Sequence, residues 1–178
     1  MLKARLLPVF SGLGLLGALT GCLTPPDYPD KPSIEFKRLE IIRNVQPRPT
    51  GTIDTLKITI GFQDGNGDLG LTQNEINFPK PPFNGDNRFN YLLRVFRRTP
   101  PATQFEEVYP GEEFGQFYPL NGGPDAKSAP LKGELTFRRA FRFGAPFVSG
   151  NEVRCTVSIK DRALNESNTV TSSVARIR

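Results

Sequence analysis

Three oxygen-bearing side chains recur at alternate positions in Phe62-Gln63-Asp64-Gly65-Asn66-Gly67-Asp68-Leu69-Gly70-Leu71. Glycine between them lets the backbone curl so that Asp64, Asn66 and Asp68 point at a common centre. Calcium suits such a set, because it takes roughly six to eight oxygen ligands at about 2.3–2.6 Å. A fourth donor, Asp161, is expected from Lys160-Asp161-Arg162-Ala163-Leu164-Asn165-Glu166-Ser167-Asn168. The competing reading is a metal-free turn, since Asp, Asn and Gly are also selected in turns for backbone reasons alone. Arg162 offers another route, a salt bridge that offsets the acids without an ion. Glu75 is the twelfth residue counted from Asp64, as in an EF-hand loop, but the sixth is Leu69 rather than glycine. No flanking helix is readable either, so an EF-hand is rejected.

The remaining catalytic inventory is thin. The chain contains no histidine and only two cysteines. A Ser-His-Asp or Cys-His site is therefore excluded, as is His-ligated zinc or haem. Paired carboxylates occur at Glu106/Glu107 and Glu112/Glu113. Neighbouring residues on a strand point to opposite faces, so the first pair is badly placed to grip a substrate from two sides. No enzymatic activity is expected; a carboxylate-dependent glycan hydrolase is the alternative. Phe83, Phe114, Phe117 and Tyr118 lie in loop-like sequence and could stack on sugars or fill a partner's pocket. The same four residues also suit packing beneath long loops. Cys155 lies on the apolar face of Val153-Arg154-Cys155-Thr156-Val157 and reads as a small buried hydrophobe.

The elements that must position these residues are strands. From Ile34 onward the apolar period is two. Runs over residues 34–41, 56–62, 89–98, 105–109, 135–143, 153–159 and 169–177 alternate or are short and apolar. Turn-rich sequence separates them at residues 63–70, 79–87, 121–130 and 145–151. No helical stripe exceeds two turns. About seven strands of this kind predict an all-β fold, a single antiparallel β-sandwich of the immunoglobulin or fibronectin-III kind. Tryptophan is absent and fourteen phenylalanines are present, so the core must rest on phenylalanine. In such a sandwich the loop after the second strand and the loop after the sixth share one pole. That would bring Asp161 to Asp64 and Asp68.

The N-terminus carries an address. Lys3 and Arg5 precede the mostly apolar Leu6–Leu16 run, and no acid appears before Asp27. Residues 1–21 read as a cleaved leader, too short and glycine-rich for a membrane span. Its end, Leu19-Thr20-Gly21-Cys22, resembles the lipobox of bacterial lipoproteins. The resemblance implies cleavage before Cys22, a diacylglycerol thioether on its sulfur, and a further acyl chain such as palmitate on its amine. Each buried methylene contributes roughly 0.8 kcal/mol, so two or three chains anchor durably. Cys155 is then left without a disulfide partner. Residues 22–33 form the lipidated cysteine and a Pro-rich tether, and residues 34–178 form the sandwich domain. Losing Lys3 and Arg5 with the leader lowers the formal net charge from +5 to +3. That mild charge, on an exported chain, argues against a nucleic-acid partner.

The lipobox, the Pro-rich spacer, Asp64-Gly65-Asn66-Gly67-Asp68-Leu69-Gly70 and the closing Lys160-Asp161-Arg162-Ala163 segment together resemble small outer-membrane lipoproteins of Bacteroidota. Asp27 and Asp30, close behind Cys22, resemble the surface-export signals of that group. The resemblance implies a lipid-anchored protein on the periplasmic or cell-surface face of the outer membrane. It further implies a binding or accessory module for an outer-membrane protein complex or a glycan. It carries no established activity.

Overall fold

The computed structural model describes residues 26–43, 53–108, 114–142 and 147–177. The expected leader, Cys22 and the start of the tether lie outside the described residues, as do Glu112, Glu113 and the side chain of Phe114. The described chain is nearly all β, as its period of two requires. In order it forms β1 (Ser33–Arg43), β2 (Ile53–Asp64), a five-residue helix α1 (Gln73–Asn77), β3 (Tyr91–Arg98), β4 (Glu106–Val108) and β5 (Phe114–Gly115). Then follow β6 (Leu131–Arg142), β7 (Glu152–Ile159), β8 (Val170–Thr171) and β9 (Ala175–Arg176).

Two antiparallel sheets result. One has the order β1-β2-β6; the other has the order β4-β3-β7-β8, with β5 also on β3 and β9 also on β7. Nine segments stand where seven strands were expected. The fourth, expected over 105–109, is β4, and β5 lies in sequence read as loop; the two pair with different halves of β3. The last breaks into β8 and β9, which pair with different halves of β7.

Alternation builds the core. Leu56, Ile58, Ile60 and Phe62 project from β2 towards Tyr91, Leu93 and Val95 of β3 and Val153, Cys155, Val157 and Ile159 of β7. Ile58 and Ile60 are wholly buried. Burying a side chain of that size stabilises the fold by roughly 1.5–3 kcal/mol. Phe137 of β6 stacks on Tyr91 with ring centroids 4.5 Å apart. Only a minority of the fully buried side chains are phenylalanine: valine, isoleucine and leucine fill most of the centre.

Register places the acid loop. Ser33 of β1 pairs with Gln63, and Asp64, the last residue of β2, pairs with Leu131, the first of β6. In the other sheet Ile159, the last residue of β7, pairs with Tyr91, the first of β3. These ends meet at one pole, where a bridge between Leu69 and Asp161 joins the two loops. Near that pole the Asn168 side chain clamps the start of β1. Its Nδ2 donates to the Ile34 carbonyl and its Oδ1 accepts from the Ile34 N–H, both at 2.8 Å.

Candidate metal centre

Asp64, Asp68 and Asp161 each direct a carboxylate oxygen to one point, and these oxygens all lie within 4.8 Å of one another. Ligands at about 2.3–2.6 Å from a shared ion stand at most about 5 Å apart, so the spacing admits calcium. Asp64 is 0% exposed and Asp161 3% exposed, while Asp68 is half-buried. The loop after β2 and the loop after β7 therefore converge as their shared pole demands.

The glycines of the loop have specific work. Gly67 sits at φ +71°, and a Cβ there would lie 2.4 Å from the Ala129 carbonyl oxygen. Gly65 donates its N–H to the Pro29 carbonyl at 2.9 Å, and a Cβ on it would collide with the Tyr28 carbonyl. The end of the Pro-rich segment thus passes directly over the acid loop.

Local hydrogen bonds satisfy part of the site. The Asp68 N–H is shared between Asp64 Oδ2 and Asn66 Oδ1, both at 3.1 Å. Asp161 Oδ1 accepts from the Asn165 N–H at 2.7 Å, and its Oδ2 from Asn165 Nδ2 at 2.8 Å. Asp64 Oδ1 and Asp68 Oδ1 are buried without a hydrogen-bond partner. Burial, followed by repulsion from Asp68 and Asp161, pushes the Asp64 carboxyl up to about 6, against the pull of the Gly67 and Asp68 N–H groups. Burial and Asp161 also raise Asp68. Three acids in one site with two orphaned oxygens form a strongly negative hollow lined by hard donors.

Each expected ligand has a distinct place. Asp64, Asp68 and Asp161 come together. Asn66 stands beside them, but its side-chain oxygen closes an Asx turn on Asp68, and its carbonyl accepts from the Ala129 N–H and the Ser128 hydroxyl. Arg162 turns away from the triad. Its guanidinium grips both oxygens of Glu75, at 2.9 and 2.5 Å, and covers the Phe83 ring at 4.9 Å. A cleft of about 220 Å³ opens beside Asp68, lined by Asn66, Asn121, Ser128 and Arg162.

Of the four aromatic residues read as either a binding surface or packing beneath loops, Phe83, Phe114, Phe117 and Tyr118, Phe83 and Phe117 point inward and are buried. Tyr118 is 55% exposed and donates its hydroxyl to Gln73 Oε1 at 2.6 Å. Phe114 contributes backbone to β5. Glu106 and Glu107 occupy successive positions of β4, with Glu107 3.7 Å from Arg94. Cys155 is buried, and burial pushes its thiol up to about 12.

Further residues organise this pole, and one group of them carries a local sequence signal. Thr72-Gln73-Asn74-Glu75 is a capping box: the Thr72 hydroxyl accepts from the Glu75 N–H, and Glu75 Oε2 accepts from the Thr72 N–H. Asn90, buried, reaches 27 residues along the chain to bond both the N–H and the carbonyl of Phe117. Nothing local in the sequence marks Asn90 for that role. No known protein family, curated protein or solved structure matches the chain.

Proposed function

We propose that this protein is a non-enzymatic, lipid-anchored envelope protein whose sandwich serves as a binding or accessory module. Calcium held by Asp64, Asp68 and Asp161 fastens one pole of it. The observation that carries the metal is Asp64 Oδ1, fully buried, without a hydrogen-bond partner and facing two further carboxylates. An unsatisfied buried polar group costs about 1–3 kcal/mol, more when charged. A divalent cation supplies the missing partner and cancels the mutual repulsion.

The order β1-β2-β6 against β4-β3-β7-β8 supports a fibronectin-III-like sandwich, in which the fourth strand joins the third, sixth and seventh. Lipid anchoring rests on Leu19-Thr20-Gly21-Cys22 and the prolines that follow. Because Pro29 is bonded to Gly65, the tether leaves the domain at the metal pole and turns that pole towards the membrane. Among the described residues no helix is long and apolar enough to cross a membrane. A cleft of about 410 Å³ on the outer face of β3 and β7, lined by Arg94, Ser158, Lys160 and Glu166, offers mixed charge to a partner protein or glycan.

The test is a thermal melt of the full chain in detergent, with EDTA or with calcium. A ligand at about one hundred times its dissociation constant adds about 2.7 kcal/mol, which shifts a domain of this size by roughly 5–10 °C. Asp64→Asn should melt higher than the parent in EDTA, because one repelling charge is gone, and should lose the calcium response. Identical parental melts with and without calcium reject the metal.

A further inference from the structure

We infer that β6 is a dimerisation strand, which pairs with β6 of a second copy of this chain about a two-fold axis through Thr136. Among the described residues nothing pairs with the edge of β6 that faces away from β2. That edge is twelve residues long, and an unpaired strand of such length is a ready template for another. Leu135 and Phe137, which face inward from it, are only partly buried although they pack on the core. The sandwich is thus left open along this side.

The identity of the partner strand is read from charge. Outward positions of β6 carry Lys132, Glu134, Thr136, Arg138 and Ala140, all exposed. Two antiparallel copies in one continuous sheet must pair outward residues with outward ones. Centred on Thr136, the register sets Glu134 opposite Arg138 of the mate, twice, and Lys132 opposite Ala140. On the inner face it sets Leu135 opposite Phe137, again twice, which closes the open side of both cores. Neighbouring registers lose this match. Centring on Glu134 or on Arg138 puts a residue opposite its own like charge. Centring on Leu135 puts Lys132 opposite Arg138, and centring on Phe137 puts Glu134 opposite Ala140. Opposite charges directly across a strand pair stabilise it, and like charges destabilise it. A two-fold interface must be self-complementary. Among registers that overlap more than half of β6, the one through Thr136 pairs opposite charges without also setting like charges opposite; the register through Gly133 sets Lys132 opposite Glu134 but overlaps residues 131–135 alone. Edges are guarded against pairing by proline, bulges or inward-pointing charge; the inward-facing charge of β6, Arg139, falls opposite Gly133 of the mate in this register, where no side chain crowds it. The dimer does not depend on the metal: β6 begins at the acid pole, but the axis at Thr136 lies five residues along the strand from Leu131, the partner of Asp64.

Thr136→Cys in the full chain tests it by oxidation. Residues directly opposite in an antiparallel pair have Cα atoms about 4.5–5.5 Å apart, within disulfide range. The variant should run as a disulfide dimer on a non-reducing gel, beyond any background from the parent, which retains Cys22 and the buried Cys155. Lys132→Cys should not, because its two copies would stand roughly 26 Å apart along the strands. Sedimentation of the full chain in detergent provides the second arm. Glu134→Arg should weaken dimerisation by roughly tenfold or more, and the exchange Glu134→Arg/Arg138→Glu should restore it. A monomeric Thr136→Cys chain overturns the inference, as does equal cross-linking of Lys132→Cys. Parental dimerisation by Glu134→Arg alone also overturns it.

Discussion

Arg162 and Glu75, separated by 87 residues, lock together through two hydrogen bonds of 2.9 and 2.5 Å. Arg162 stands immediately after Asp161, where it could have neutralised the acid triad. It instead fastens α1 to the loop after β7, with its guanidinium between Glu75 and the Phe83 ring. The Gly70 carbonyl accepts a further bond from the same side chain at 3.2 Å. The charge of Arg162 still reaches Asp68 and draws that carboxyl down, but burial and Asp161 outweigh it.

Glu75→Gln should destabilise the domain by about 1–3 kcal/mol, because a largely buried Arg162 loses its partner. The Arg162 guanidinium holds the Glu75 carboxyl down at about 2. A depressed folded value means that the stabilisation is complete above the ordinary carboxylate range and is lost as pH falls from about 4.5 towards 2. Urea titrations at pH 7 and pH 3 check this. The gap between parent and variant should be wide at pH 7 and should narrow at pH 3.

Asp64 predicts the opposite slope. Its carboxyl rises from 3.8 to about 6 on folding. Between those values the folded state binds more protons than the unfolded one, so stability is greatest below pH 4 and falls as pH rises through 6. The contribution is on the order of 3 kcal/mol for a shift of this size. In EDTA this group alone should therefore make Asp64→Asn progressively superior to the parent as pH rises from 4 to 7. The proposed calcium should reverse the trend, because it requires the ionised carboxylate and so gains affinity over the same interval. Paired melts at pH 4.5 and 7, with and without calcium, measure both slopes.

Cys155 should be inert in the native state. Its side chain is wholly buried and its thiol stands at about 12, so almost no thiolate exists at neutral pH. A maleimide should leave it unmodified for hours in buffer and label it within minutes in guanidinium, as read by intact mass on a Cys22→Ser chain. Rapid native labelling would place the thiol at the surface.

The proposed lipid anchor predicts a clean covalent readout. Cells grown with an alkynyl fatty acid should label the parent and leave Cys22→Ser unlabelled, because only the thiol accepts the diacylglycerol. Gel fluorescence after click coupling measures this, and equal labelling of the variant would refute the anchor.

The all-β architecture was legible because alternation is a local signal: each inward residue of β2, β3 and β7 announces its face two residues at a time. The acid loop was legible for the same reason, with its donors and glycines contiguous in Asp64–Gly70. Where strands break was not local. β8 and β9 separate where they pair with different stretches of β7, and β5, in sequence read as loop, adds a second segment along β3. For Phe83 and Phe117 the sequence left a binding surface and packing beneath loops both open, since a phenylalanine in a loop looks alike in either role; the fold buries both.

Asp161 lies nearly a hundred residues from Asp64, and its approach follows from sheet order, which the alternating pattern by itself only suggested. Composition settled the exclusions, since no fold can make a histidine site without histidine. Spacing settled which residues could serve as hard donors. Tertiary structure decided the rest through distance and burial. It brought three carboxylates within 4.8 Å, turned Asn66 into a turn closer, and sent Arg162 to Glu75. Those choices depend on which strand ends meet at a pole and on which charges lose their water there, and neither quantity is written in any short stretch of chain.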